Sequence, residues 1–184
     1  MISEYWLTAA GIAAAAIYAA IAVIRKVQYD RILLYVIFIL YMTTLIGATM
    51  FPVIIDNSMT AASSDPSDRI KLIPFMTIAE ELTETSAFNA FVQIAGNIVM
   101  TVPFGLLLAL LYPINHKYIC IIAAAALPLW IELTQLILDI ITGTWYRTFD
   151  VDDIILNFSG IMLGFLIYRL LPEKIRRKFK GSTE

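Results

Sequence analysis

Five long apolar runs alternate with polar segments along this chain, and that alternation predicts its elements. The runs cover residues 5–24, 32–55, 88–112, 118–141 and 152–171. About 20 consecutive apolar residues cross a bilayer as a helix. The pattern therefore predicts an all-α integral membrane protein with five transmembrane helices. Composition agrees: 60% of residues are hydrophobic and only 15% are charged, against about a quarter charged in soluble domains. With 184 residues, one membrane domain over 1–184 is expected. A lone cysteine, Cys120, excludes an intrachain disulfide. One histidine, His116, with one cysteine gives no zinc site of common spacing.

The runs differ in character. The first is alanine-rich, which suits close helix packing. It opens on Tyr5 and Trp6, residues of an interfacial belt. Glu4 precedes it and Arg25-Lys26 follow, the reverse of a signal peptide's charge order, so an uncleaved span is expected. Thr43, Thr44 and Gly47 in the second run suit packing and backbone bonding. Pro103, with Phe104 and Gly105, is expected to kink the third. The fourth contains Pro128.

Basic residues set the expected topology. Arg25, Lys26, Arg31, Lys117 and the tail from Arg169 to Lys180 fall on one side of the five spans. Only Arg69, Lys71 and Arg147 fall on the other. Lys/Arg-rich segments stay cytoplasmic, so the amino end is expected outside and the carboxyl end inside. The long polar segment 56–89 then becomes an outer loop, carrying Asp56, Asp65, Asp68, Glu80, Glu81 and Glu84. Residues 76–86 within it read as an interfacial amphipathic helix or, equally, as a solvated loop.

Polar residues inside the apolar runs are the candidate chemistry. Glu132, Gln135 and Asp139 fall at i, i+3 and i+7 and share one face of the fourth helix. Gln93 and Asn97 share a face of the third. Asp153, Asn157, Gly160 and Gly164 line a stripe of the fifth, next to Arg147, Asp150 and Asp152. Unpartnered, such groups each cost several kcal/mol in hydrocarbon. They are expected to converge on a cavity open to the outer face, with Arg69 and Arg147 as countercharges. Arginine also forks to phosphate. A network that only locks helices together is the alternative. Gly160 and Gly164 form a small-xxx-small helix contact. The Asn157-Phe158-Ser159 sequon lies within a span and reads as coincidental.

Several separated motifs carry a resemblance. They are Arg69 to Phe75 (RIKLIPF), Asn97 with Pro103-Phe104-Gly105, Glu132 to Gln135 (ELTQ), and Arg147 with Asp150 to Asp153, Asn157, Gly160 and Gly164. Together, over about residues 30–172, they resemble the VanZ-like family; Lys71 departs from the asparagine common there. The resemblance implies a bacterial plasma-membrane protein associated with resistance to glycopeptide antibiotics, above all the lipidated teicoplanin type. It brings no established reaction. It implies functional positions at Arg69, Pro74, Phe75, Asn97, Glu132, Gln135, Arg147, Asp150, Asp152, Asp153 and Asn157. Pro74 and Phe75 come from the resemblance alone.

Three functions fit these residues. The leading one binds an amphiphile, with its polar head in the cavity and its tail between helices. The amphiphile is a lipidated glycopeptide or a lipid-linked cell-wall intermediate, and membrane lipids surround the protein. The second is an intramembrane enzyme acting on a lipid or envelope glycan. Glu132, Asp152 and Asp153 would then serve as acid and base or hold a divalent cation. The third is a small proton-coupled transporter using Glu132, against which the lack of an internal repeat argues. The leading reading needs no cofactor and no resident metal, and no nucleic-acid partner is expected.

Overall fold

The computed structural model describes residues 4–51, 70–112, 117–142 and 147–180. Helices α1 (Tyr5–Ile24) and α2 (Tyr29–Met50) form a hairpin. A strand pair and a short helix follow, β1 (Ile70–Lys71) and α3 (Met76–Glu84). Then come α4 (Ala87–Leu111), α5 (Lys117–Thr142), β2 (Phe149–Asp150), α6 (Val151–Leu170) and α7 (Glu173–Lys180). Five of the helices are long and apolar enough to cross a membrane, as the apolar runs predict. Large apolar side chains such as Ile12, Ile17, Phe91, Val99, Ile122 and Leu166 lie exposed around them.

Local chemistry sets the helix ends. The α1–α2 turn bonds Val27 N–H to the Ala22 carbonyl and Lys26 N–H to the Val23 carbonyl. Lys26 takes φ 55° between them, the left-handed closure that satisfies the last carbonyls of a helix. The second span differs from its expected bounds, starting earlier and ending at Met50. Phe51 is already extended at φ −111°, ψ 154°, because a residue before proline, here Pro52, is forced out of the helical region. Ser86 caps α4 by accepting the Asn89 N–H at 3.3 Å. α4 then runs as one helix through Pro103. Asp150 caps α6 by accepting the Asp152 N–H at 2.8 Å. Asp152 and Asp153 in the first turn and Arg169 in the last complement the helix dipole.

The centre of the fold is the α4–α6 seam. A Cβ built on Gly160 would run into the Ile98 carbonyl and the Thr101 hydroxyl. One on Gly164 would meet the Val102 carbonyl, and one on Gly105 the Ile161 carbonyl. The absence of side chains at these three positions lets the two backbones touch. α2 and α5 close on the seam through a core that includes Leu45, Ala124, Ile131, Ile161 and Phe165. α1 packs on α2, with Gly11 against Thr43.

β1 and β2 form a parallel pair, Ile70 opposite Phe149 and Lys71 opposite Asp150. The sequence reading had no strand here. The pair ties the segment before α3 to the segment before α6. It gathers the end of the bundle formed by the close of α2 and α5 and the start of α4 and α6. At the opposite end α7 docks, with Phe179 against Leu34, Leu107 and Leu111 and Lys178 paired to Asp30 at 3.1 Å.

Candidate polar recess

The recess is built on an extended segment laid along α5. Asp139 Oδ2 accepts the Arg147 N–H at 2.7 Å, and Glu132 Oε2 accepts the Asp150 N–H at 3.1 Å. Seven residues of helix rise about 10 Å, and three extended residues span about the same. The i, i+7 carboxylates therefore match the spacing of the two backbone donors. Both acids are buried, Glu132 at 2% and Asp139 at 5% exposure, and each has a donor, as a buried carboxylate requires.

Arg147 then reaches α2. Its guanidinium donates to the carbonyls of Thr49 and Phe51. Gln135 Nε2 donates to the same Thr49 carbonyl at 2.8 Å. These carbonyls lie at the C-terminal end of α2, where a cation is favoured by the dipole.

Asp152 performs a different task. Its Oδ1 accepts the Phe75 N–H at 2.5 Å and its Oδ2 the Ile78 N–H at 3.0 Å. One carboxylate thereby caps the N-terminus of α3 from 74 and more residues away. It also holds Phe75 at φ 67°, a region that a bulky side chain adopts only under constraint. Alanine at Asp152 leaves two backbone donors without acceptors, at about 1–3 kcal/mol each. Hydrogen exchange across Met76–Glu84 is expected to accelerate strongly in Asp152→Ala and less in Asp152→Asn. Unchanged exchange in both would show that the cap does not hold α3.

With α3 pinned, a recess of ≈ 560 Å³ opens between it and the ends of α4, α5 and α6. Every residue lining it is polar: Lys71, Thr77, Glu81, Gln93, Gln135, Arg147, Thr148, Asp150 and Asp153. The volume is within the range of small-molecule sites. Asn97 Nδ2 donates to Asp153 Oδ1 at 2.6 Å and so orients that acid. The Thr77 hydroxyl is buried without a hydrogen-bond partner among the described residues. On the rim, Lys71 Nζ pairs with Glu80 at 2.6 Å. Hydrogen bonding to Glu80 raises the lysine pKa above its usual value, and desolvation opposes it. A raised folded value means that the pair's contribution is present below the lysine's unfolded value of about 10.4, while Glu80 is ionised, and is lost as pH rises through the folded value. Partly exposed pairs contribute at most about 1 kcal/mol. Glu80→Gln is accordingly expected to move the unfolding midpoint at pH 7 only slightly; a large drop would mean the pair anchors α3.

The expected site residues fall in different places. Gln93, Gln135, Arg147, Asp150 and Asp153 line the recess. Asn97, Glu132 and Asp152 stand behind its wall, holding other groups in place. Pro74 and Phe75 sit on the exposed turn leading into α3. Asn157 is 3% exposed. It lies in the α4–α6 seam, where its carbonyl accepts the Thr101 hydroxyl at 2.9 Å. Its Oδ1 has no hydrogen-bond partner among the described residues. Arg69, Trp145, Tyr146 and His116 lie outside the described residues. Of the acids proposed for catalysis, Glu132, Asp152 and Asp153, only Asp153 faces the recess. Lys71, Thr77, Glu81 and Thr148 were not expected to line it. The β1–β2 pair brings Lys71 there, opposite Asp150, and the placement of α3 over the ends of α4 and α6 brings Thr77 and Glu81.

No curated protein and no solved structure matches the chain. Residues 33–172 match the family described as VanZ/LLP1, which leaves all of α1, the first residues of α2 and α7 outside the match.

Proposed function

The chain belongs to the VanZ/LLP1 family, and on that premise we propose that it contributes to glycopeptide resistance by binding an amphiphile in its polar recess. The ligand is a lipid-tailed glycopeptide of the teicoplanin type or a lipid-linked cell-wall intermediate. Its head group occupies the recess and its tail lies among the helices. The observation that carries this reading is a recess lined by polar residues at the ends of membrane-length helices that expose large apolar side chains. The turn into α3 carries Ile73 and Phe75, each more than 60% exposed. A polar head with an apolar tail matches that division of surface.

In this proposal the recess faces the cell exterior of a bacterial plasma membrane. The distribution of basic residues supports that orientation: α7 and the α1–α2 turn carry cations at the opposite end. Binding is favoured over acid–base catalysis because both oxygens of Asp152 are committed to the backbone of α3 and Glu132 holds the Asp150 N–H.

The test is photo-crosslinking from a photoreactive phenylalanine at Phe75 with labelled lipid-linked precursor or lipidated glycopeptide. Saturable labelling, reduced in Asp153→Asn, is the expected result. Labelling no greater than a bulk-lipid control, and not saturable, would overturn the proposal.

A further inference from the structure

A second cavity lies at the other end of the molecule and is chemically the reverse of the recess. It is a groove of ≈ 490 Å³ between α5 and α6. Cys120 and Ile121 form one wall. Ser159, Met162 and Leu166 form the other, and Arg169 stands at one end. The α6 residues fall at i, i+3, i+7 and i+10, along one face of the helix. From Ser159 to Arg169 the helix rises about 15 Å. That is about half the ~30 Å hydrocarbon core, the depth of one leaflet. The Ser159 hydroxyl is already bonded to the Ile155 carbonyl at 2.7 Å, so the groove floor makes no demand for a polar ligand. Arg169 is the one charged residue of the lining, and no hydrogen bond or ion pair is formed by it among the described residues.

We propose that this groove is a binding site for one acidic phospholipid, its acyl chain between α5 and α6 and its phosphate on Arg169. Charge complementarity selects the occupant. The guanidinium fork matches a phosphate. The same end of the protein carries Lys174, Arg176, Arg177 and Lys178 on α7 beside Glu173. Such a cationic end favours a net-negative head group over a zwitterionic one. The site lies at the far end of α6 from Asp153 and is independent of what the recess binds.

The experiment is native mass spectrometry of the full chain in detergent, titrated with phosphatidylglycerol or phosphatidylcholine of equal chain length. Wild-type protein is expected to retain phosphatidylglycerol preferentially. Arg169→Gln is expected to reduce that retention about fivefold, the effect of one basic group at an anionic lipid head. Leu166→Trp, at an exposed position, fills the groove and is expected to lower retention of both lipids. Val99→Trp, at an exposed position of α4 outside the groove, is expected to leave retention at the wild-type level. Undiminished retention in Arg169→Gln would overturn the head-group assignment, and undiminished retention in Leu166→Trp would overturn the groove.

Discussion

Alanine at Asp153 or at Arg147 is expected to return cells to the glycopeptide sensitivity of cells lacking the protein, while the protein accumulates in the membrane at its wild-type level. The two substitutions act on one site by different routes. Asp153 presents a carboxylate to the recess, oriented by Asn97. On the proposed reading its loss removes a head-group contact, and it leaves the amide of Asn97 without that acceptor. Arg147 contributes its position in the lining and its bonds to the Thr49 and Phe51 carbonyls. Without the guanidinium the Phe51 carbonyl loses its side-chain donor, the Thr49 carbonyl keeps only Gln135 among the described residues, and the 147–150 segment loses its brace to α2. Insertion depends on the length and apolarity of the spans; Arg147 lies outside them, and alanine at Asp153 makes α6 more apolar. Arg147→Lys is expected to recover little, because a point charge does not reproduce a planar fork. Inhibitory concentrations measured beside immunoblots of the membrane fraction check this. Full resistance in Asp153→Ala or Arg147→Ala would show that the cluster only supports the fold.

Leucine at Gly160 is expected to produce the largest loss of stability. Any side chain there meets the Ile98 carbonyl and the Thr101 hydroxyl on α4. Overpacking a well-fitted core costs about 1–3 kcal/mol. Here the obstacle is backbone, which cannot swing aside as a flexible side chain does, so the cost belongs at or above the top of that range. For a chain of this size, 1 kcal/mol corresponds to about 2–4 °C in midpoint. A fall of roughly ten degrees or more is expected in detergent-solubilised protein. Leucine at Gly96, whose Cβ meets nothing within 4 Å, serves as the control. Equal midpoints for the two variants would mean that α4 and α6 are not held by close contact.

The spans were legible because hydrocarbon imposes a length and leaves it in the sequence. The stripe Glu132, Gln135 and Asp139 was legible for a related reason, since helical spacing alone places the three on one face. The distribution of tasks among the acids was not. Asp152 and Asp153 are neighbours in sequence and both open α6, yet one caps α3 and the other faces the recess. That difference depends on the backbone of Phe75 and Ile78, far away in the chain. Asn157 shows the limit of reading a stripe. Asp153, Asn157, Gly160 and Gly164 do share a face, but the face is the contact with α4, and only its first member reaches the recess. Lys71, Thr77 and Glu81 were missed as lining residues because a two-residue strand pair has no periodicity to detect, and that pair directs α3 to its place. The end of α2 moved inward through Pro52, whose effect on the preceding residue is local and was available in the sequence.

The pairing of β1 with β2 has a bearing on biogenesis. The two strands belong to stretches separated by α4 and α5, so the register Ile70–Phe149 forms only after both of those helices have been threaded. Asp150, Asp152 and Asp153 emerge after every other residue of the recess, at the start of the final crossing. Until then α3 has no carboxylate to cap it and the lining lacks two of its acids. On that order of emergence the hydrocarbon-embedded body precedes the recess, whose lining is complete only once the last span has begun to form.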